Sequence, residues 1–144
     1  MWTEVYSIDE AFIGLRGTPD QVHAAAKHIK SEILRLTGLP VCVGIAKTKT
    51  LAKLANRAAK KVHELAGVCV WDRVPEATRE GLLNQLPVGE VWGIGRRMVK
   101  RLNAMGIMTV REFRDTDEFR IRDKFSIVQM RTLLELRGTP CIQM

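Results

Sequence analysis

Hydrophobic positions along the chain follow two rhythms, one in each half. Residues 3–15, TEVYSIDEAFIGL, read as two short strands, because Val, Tyr, Ile and Phe favour pleated backbone. The adjacent carboxylates Asp9 and Glu10 fall at or near the junction of those strands, where no strong turn dipeptide marks the corner. Thr18-Pro19-Asp20 then opens a helix from about Pro19 to Leu36. Val22, Ala25, Ala26, Ile29, Ile33 and Leu36 keep helical spacing, and Gly38 closes it. Pro40 precedes VCVGIAK, a run suited to a buried strand. A second helix is expected from about Thr48 to Leu65, ended by Gly67 before the short strand VCVW. Strand, strand, helix, strand, helix, strand implies an α+β half, with helices packed on a sheet of mixed or ferredoxin-like type.

After Trp71 the chain turns to short helices punctuated by glycine. Pro75 to Gln85 reads as a helix, followed by LPVGEVWGIG and a helix from about Arg96 to Ala104 stopped by Gly106. MTVREFRDTD and SIVQMRTLLELRG supply further short helices. A boundary near Asp72 to Glu76 is therefore expected. It separates residues 1–71, which carry the acidic pair, from an all-helical unit over residues 72–144. No internal repeat or low-complexity tract is visible.

Charge changes the picture next. The chain has 23 Lys and Arg against 16 Asp and Glu, a net charge of +7 and a pI near 9.7. That excess favours a polyanionic partner, most often nucleic acid, although an acidic protein or a membrane surface also fits. A hydrophobic content of 46% is enough to bury a core. Cys42, Cys69 and Cys141 are odd in number and form no C-x-x-C pair, which argues against a zinc site or disulfide framework. Buried, inert thiols are expected at Cys42 and Cys69. No apolar run approaches the ~20 residues of a membrane span and no signal peptide is seen, so a cytoplasmic protein without membrane partners is expected.

Two segments concentrate the cations. KTKTLAKLANRAAKK, residues 47–61, contains no acid, and Lys49, Lys53, Arg57 and Lys60 fall on one stripe of a helix. Leu51, Leu54, Ala55, Ala58 and Val62 fall on the other, so the apolar stripe should dock on the sheet and the cations face outward. A solvated face is the plain alternative, but the absence of opposite charge favours phosphate binding. LPVGEVWGIGRRMVKRLNAMGI, residues 86–107, has the layout of a helix-hairpin-helix. Gly93 and Gly95 allow close approach of backbone N–H groups to an anion, and the following helix starts with its positive dipole end. Arg96, Arg97, Lys100 and Arg101 add charge suited to gripping a nucleic-acid backbone without reading bases. Trp92, like Trp71, is expected to pack in the core.

Asp9 and Glu10 alone admit three readings: a solvated turn, a partner for a nearby arginine, or ligands of a hard cation such as Mg²⁺. Resemblance narrows the choice. YSIDEAF, VGIAKTKTLAKLANRAAKK, LPVGEVWGIGRRMVKRLNAMGIMTV and LRGTPC, in that order, resemble the Y-family translesion DNA polymerases. The similarity is to the UmuC branch, which supplies the catalytic subunit of bacterial DNA polymerase V. It covers essentially the whole chain. Trp92, where related branches commonly carry proline, and the LRGTPC ending both fit that branch, whereas Gly14 stands where relatives commonly place Asp.

The resemblance implies that residues 1–71 are the later part of a palm and residues 72–144 a thumb. Asp9 and Glu10 become carboxylates of a catalytic Mg²⁺ site, and Lys60 a contact to the triphosphate of the incoming dNTP. Gly93, Gly95 and Arg96, with Arg97 and Lys100 beside them, become the grip on primer-template DNA. The implied reaction is attack of a primer 3′-hydroxyl on the dNTP α-phosphate during damage bypass in the SOS response. The family's first metal-binding aspartate, fingers and little finger have no counterpart within these 144 residues. A fragment inactive by itself is therefore expected, with a non-catalytic DNA-backbone-binding module as the alternative. Implied partners of a full-length protein are the cleaved UmuD dimer and RecA. An uncovered palm sheet edge further suggests a homodimer of this chain.

Overall fold

A computed structural model describes residues 3–5 and 11–141. Strand β1, Thr3–Val5, pairs antiparallel with β2, Ala11–Ile13, in a register that sets Val5 opposite Ala11. Helix α1 runs Pro19–Thr37 and starts in a capping box: Gln21 N donates to Thr18 Oγ1, and Thr18 N donates to Gln21 Oε1. Gly38 ends α1 in the left-handed region at φ 74°.

Strand β3, Val43–Ile45, and strand β4, Val68–Val70, pair in parallel, which requires a crossover. Helix α2, Lys49–Lys61, supplies it and completes a βαβ unit. The expected sheet is thus resolved, among the described residues, into an antiparallel pair and a separate parallel pair. β4 is fully buried, whereas β3 is only half-buried. α2 stops four residues short of the expected Leu65, because Val62 leaves the helix at φ −97°, ψ 105°. The next three residues, His63–Leu65, tighten into one 3₁₀ turn.

The packing of α2 on β3 depends on a missing side chain. A Cβ at Gly44 would lie 2.1 Å from Asn56 N and 2.5 Å from Ala52 O, so backbone rests on backbone at this crossing. No rotamer change could relieve that overlap, which makes glycine obligatory for this helix–strand distance.

Five helices follow: α3 Glu76–Gln85, α4 Arg96–Ala104, α5 Val110–Arg114, α6 Glu118–Lys124 and α7 Ile127–Leu136. Thr109, Asp117 and Ser126 cap the last three through their side chains. A short antiparallel bridge between Pro87 and Thr109 ties the connection after α3 to the start of α5. It is closed by Val88 N to Met108 O at 2.9 Å and Val110 N to Leu86 O at 3.0 Å.

One apolar core runs through both halves. Leu51, Leu54 and Ala58 of α2 share it with Trp71, Leu83, Val91, Leu102, Phe113, Ile121 and Leu133. Trp71 lies in this core, as expected. The seam between residues 71 and 72 is therefore filled with hydrocarbon and not bridged by a linker. Thr48 Oγ1 also donates to Glu135 O at 2.8 Å, fastening the start of α2 to α7.

Candidate nucleic-acid interface

The hairpin between α3 and α4 positions its glycines by anchoring its apolar residues. Val88, Val91 and Ile94 are buried, so Gly93 and Gly95 are held at the surface between them. Gly93 has φ 91°, a left-handed conformation that side chains with a Cβ rarely adopt. Gly95 is the N-cap of α4 and brings no side chain to its first turn, unlike Thr48 on α2 or Ser126 on α7. The amides at the start of α4 therefore face outward without an internal acceptor. Arg96, Arg97 and Lys100 around them are exposed and form no ion pair among the described residues. Exposed N–H groups, a helix dipole and free cations can hold an anion such as a phosphodiester.

Arg101 has a different job from the one its sequence neighbours suggest. Its Nη2 donates to Lys124 O at 2.6 Å, and its guanidinium lies 4.4 Å from the Phe125 ring centroid. It fastens α4 to the end of α6 and is not part of the free cationic surface.

The outward row expected on α2 is likewise interrupted. Lys49 is buried, with Nζ 5.2 Å from the centroid of the Phe12 ring on β2. Arg57 forms a two-pronged pair with Glu90, Nη2 to Oε1 at 2.8 Å and Nε to Oε2 at 2.8 Å. Lys61 approaches the same carboxylate at 3.7 Å. Lys60 is exposed, and Lys53 is half-buried. Helical periodicity could not reveal this, because Glu90 lies 33 residues beyond Arg57 in the chain.

Trp92 stands beside Glu90 at the same junction. Its ring centroid is 5.5 Å from that of Phe12, with the planes inclined by 42°. It is half-buried, so it packs at the rim of the core and not at its centre. Between α2 and the 89–92 segment is a cavity of about 250 Å³ lined by Lys53, Asn56, Lys60, Gly89 and Trp92 among others. Asn56 Oδ1 is buried there without a hydrogen-bond partner among the described residues. Sequence reasoning passed over Asn56; its one signal was an amide interrupting an alanine- and leucine-rich helix.

Asp9 and Glu10 lie outside the described residues. They belong to residues 6–10, which join the paired positions Val5 and Ala11. Among the described residues no group of three or more His, Cys, Asp or Glu side chains is gathered in a way that could hold a metal.

By fold, the chain is an α+β protein in which a βαβ unit shares its core with a helix-hairpin-helix. A family model described as "impB/mucB/samB family" matches residues 2–57, and one described as "IMS family HHH motif" matches residues 76–107. Protein UmuC of Salmonella typhimurium is 44% identical over 144 residues, covering 98% of this chain and 34% of that protein. Protein MucB of Escherichia coli is 43% identical over 143 residues, again covering 98% of this chain and 34% of that protein. A solved insertion ternary complex of Dbh DNA polymerase is similar with a TM-score of 0.71 and 28% identity, covering 97% of this chain and 40% of that one. DinB from Sulfolobus solfataricus aligns with a TM-score of 0.66 and 30% identity, over 93% of this chain and 38% of that structure. Residues 2–57 and 76–107 thus match the impB/mucB/samB family model and the IMS family helix-hairpin-helix motif, and nearly the whole chain is similar to the UmuC and MucB proteins and to Dbh DNA polymerase. It spans about a third of the length of the curated relatives UmuC and MucB.

Proposed function

We propose that this chain is the palm-and-thumb segment of a translesion DNA polymerase, a palm portion over residues 1–71 and a thumb over residues 72–144. The observation that carries the reading is the start of α4, where a glycine N-cap leaves helix amides open beside the unpaired cations Arg96, Arg97 and Lys100. Gly93 and Gly95 let a primer-strand phosphate approach that turn, and the three cations neutralise its neighbours. Lys60, exposed on α2, supplies a positive charge to the triphosphate of an incoming dNTP.

The reaction is attack of a primer 3′-hydroxyl on the dNTP α-phosphate, with pyrophosphate as the leaving group. Asp9 and Glu10 offer the hard oxygen donors that Mg²⁺ prefers, and in sequence they immediately precede strand β2. Bound there, Mg²⁺ supplies electrostatic stabilisation to the attacking and leaving oxygens. No helix among the described residues is long and apolar enough to cross a membrane, and action in the cytoplasm is proposed. By kinship, the cleaved UmuD dimer and RecA are proposed partners of the longer protein. Self-association of this chain through its short strand pairs is proposed as well.

The test has two arms. Primer-template DNA binding by this chain should weaken steeply as salt rises, since phosphate contacts release counterions. In a polymerase of the relatives' full length that carries this segment, Asp9→Ala should abolish primer extension while leaving DNA binding in place. Salt-insensitive binding would remove the thumb assignment. Undiminished extension by the Asp9 variant would remove the metal assignment. A second reading, a backbone-binding module without catalysis, predicts the same salt dependence but no extension by the longer protein.

A further inference from the structure

Glu90 and Trp92 lie two positions apart, immediately before Gly93, yet they reach different elements of the palm side. Glu90 takes both prongs of Arg57 on α2, at 2.8 Å each. Trp92 packs on Phe12 of β2, ring centroid to ring centroid 5.5 Å. Phe12 is in turn approached by Lys49 of α2, whose Nζ lies 5.2 Å from the ring centroid. A single attachment point would let the hairpin swivel. Two points on separate elements fix its orientation as well as its position.

The placement of these contacts relates them to chemistry. Phe12 follows Glu10 by two residues, and Trp92 precedes the left-handed turn at Gly93 that sets the direction of α4. The Phe12–Trp92 contact thus joins the strand that follows the acidic pair in sequence to the segment leading into α4. The Arg57–Glu90 pair braces it from the opposite wall of the intervening cavity, which both Arg57 and Trp92 line. Bidentate guanidinium–carboxylate pairs are directional, so this brace resists rotation better than a simple pair of point charges.

We propose that Glu90 and Trp92 are positioning residues: a two-point bracket, closed by Arg57 and Phe12, that fixes the DNA-gripping hairpin relative to the strand following the acidic pair. The proposal rests on the polymerase reading for its purpose, but the bracket itself can be measured without DNA. The two disrupting substitutions are made on the palm side and read on the hairpin, so neither of those altered side chains sits where the effect is observed.

The experiment is hydrogen exchange on the full 144-residue chain, followed by binding of a fluorescein-labelled primer-template duplex. Phe12→Leu and Arg57→Gln should each accelerate exchange at amides 91–97 by roughly tenfold, while α7 amides keep their protection. Each should weaken duplex binding about threefold, since a swivelling hairpin must be reoriented on contact. Trp92→Phe should preserve slow exchange, and the swap Arg57→Glu with Glu90→Arg should restore it. Unchanged exchange at 91–97 in both palm-side variants overturns the bracket. Uniform acceleration that includes α7 also overturns it, because Phe12 and Arg57 would then only support the fold. If exchange responds as expected but the unaltered chain binds no duplex, the bracket stands and the polymerase reading fails.

Discussion

Glu135 closes the start of a helix that begins more than eighty residues earlier. Its Oε1 accepts from Thr50 N at 3.1 Å and from Thr50 Oγ1 at 2.9 Å, while Oε2 accepts from Cys141 N at 2.8 Å. The side chain is almost completely buried, so removing it would strand both Thr50 donors away from water and take the partner from the part-buried Cys141 N. Glu135→Ala should lower unfolding stability by about 3 kcal/mol, given the cost of unsatisfied buried groups. Urea denaturation checks this. Glu135→Gln, which keeps one acceptor, should lose less.

Gly44→Ala is expected to be harmful as well, although it adds only one methyl group. The new Cβ would overlap the α2 backbone near Asn56 N, and backbone cannot step aside as a side chain can. A loss of about 2 kcal/mol or more is expected, the range typical of forced overpacking. Amide chemical shifts of α2 around Asn56 should move as the helix lifts from β3, whereas α6 and α7 shifts should not.

Acid sensitivity should depend on one ion pair in the helical half. Arg114 holds Glu80 in a fork, with Nη1 to Oε1 and Nη2 to Oε2 both at 2.8 Å. This hydrogen bonding by Arg114 keeps the Glu80 carboxyl below the usual carboxylate range, against an opposing effect of burial. A lowered folded-state pKa adds stability above the ordinary glutamate value of about 4.3, and that stability is lost as pH falls through the lower folded value. Glu80→Gln should therefore flatten the acid limb of the stability–pH curve below about pH 4. Thermal melts across that range measure it.

Thiol chemistry should separate the three cysteines. Burial pushes the Cys69 thiol up to about 11 and leaves it without solvent contact on β4, whereas Cys42 and Cys141 are partly exposed. Alkylation at pH 8 should modify Cys42 and Cys141 while Cys69 stays protected until the chain unfolds, because the thiolate is the reactive form. Mass spectrometry of the labelled peptides reads this directly.

The cations of α4 should divide in the same way. Arg96→Ala and Arg97→Ala should each reduce the slope of log affinity against log salt for duplex DNA by about one, with little change in stability. Arg101→Ala should instead lower the melting temperature, because it breaks the hold on Lys124 O and Phe125.

Local signals in the sequence were read well and remote ones were not. Thr18, Gly38 and Thr48 mark helix ends through side-chain and backbone chemistry that acts within four residues, and the structure keeps all three. The hairpin glycines and Lys60 stand out by motif. Lys49 was misread as outward-facing because Phe12, which covers it, lies on another element. Arg57 looked free because Glu90 is remote in the chain, and nothing within LLELRG marks Glu135 as the acceptor for Thr50. Nothing in VCVGIAK marks Gly44 either, since the need for it arises only when α2 lands on β3. Each miss concerns a contact whose second partner no periodicity could supply.

The glycine at the start of α4 has one further consequence. Helices α1, α2, α5, α6 and α7 carry side-chain caps, but α4, which like α3 has none, leaves its first turn for a visitor to finish. If the visitor is a phosphate, occupancy and helix stability become a single equilibrium, and a ligand present at a hundred times its Kd would strengthen the folded state by about 2.7 kcal/mol. The hairpin would then be firmest when loaded and loosest when searching, without any dedicated moving part.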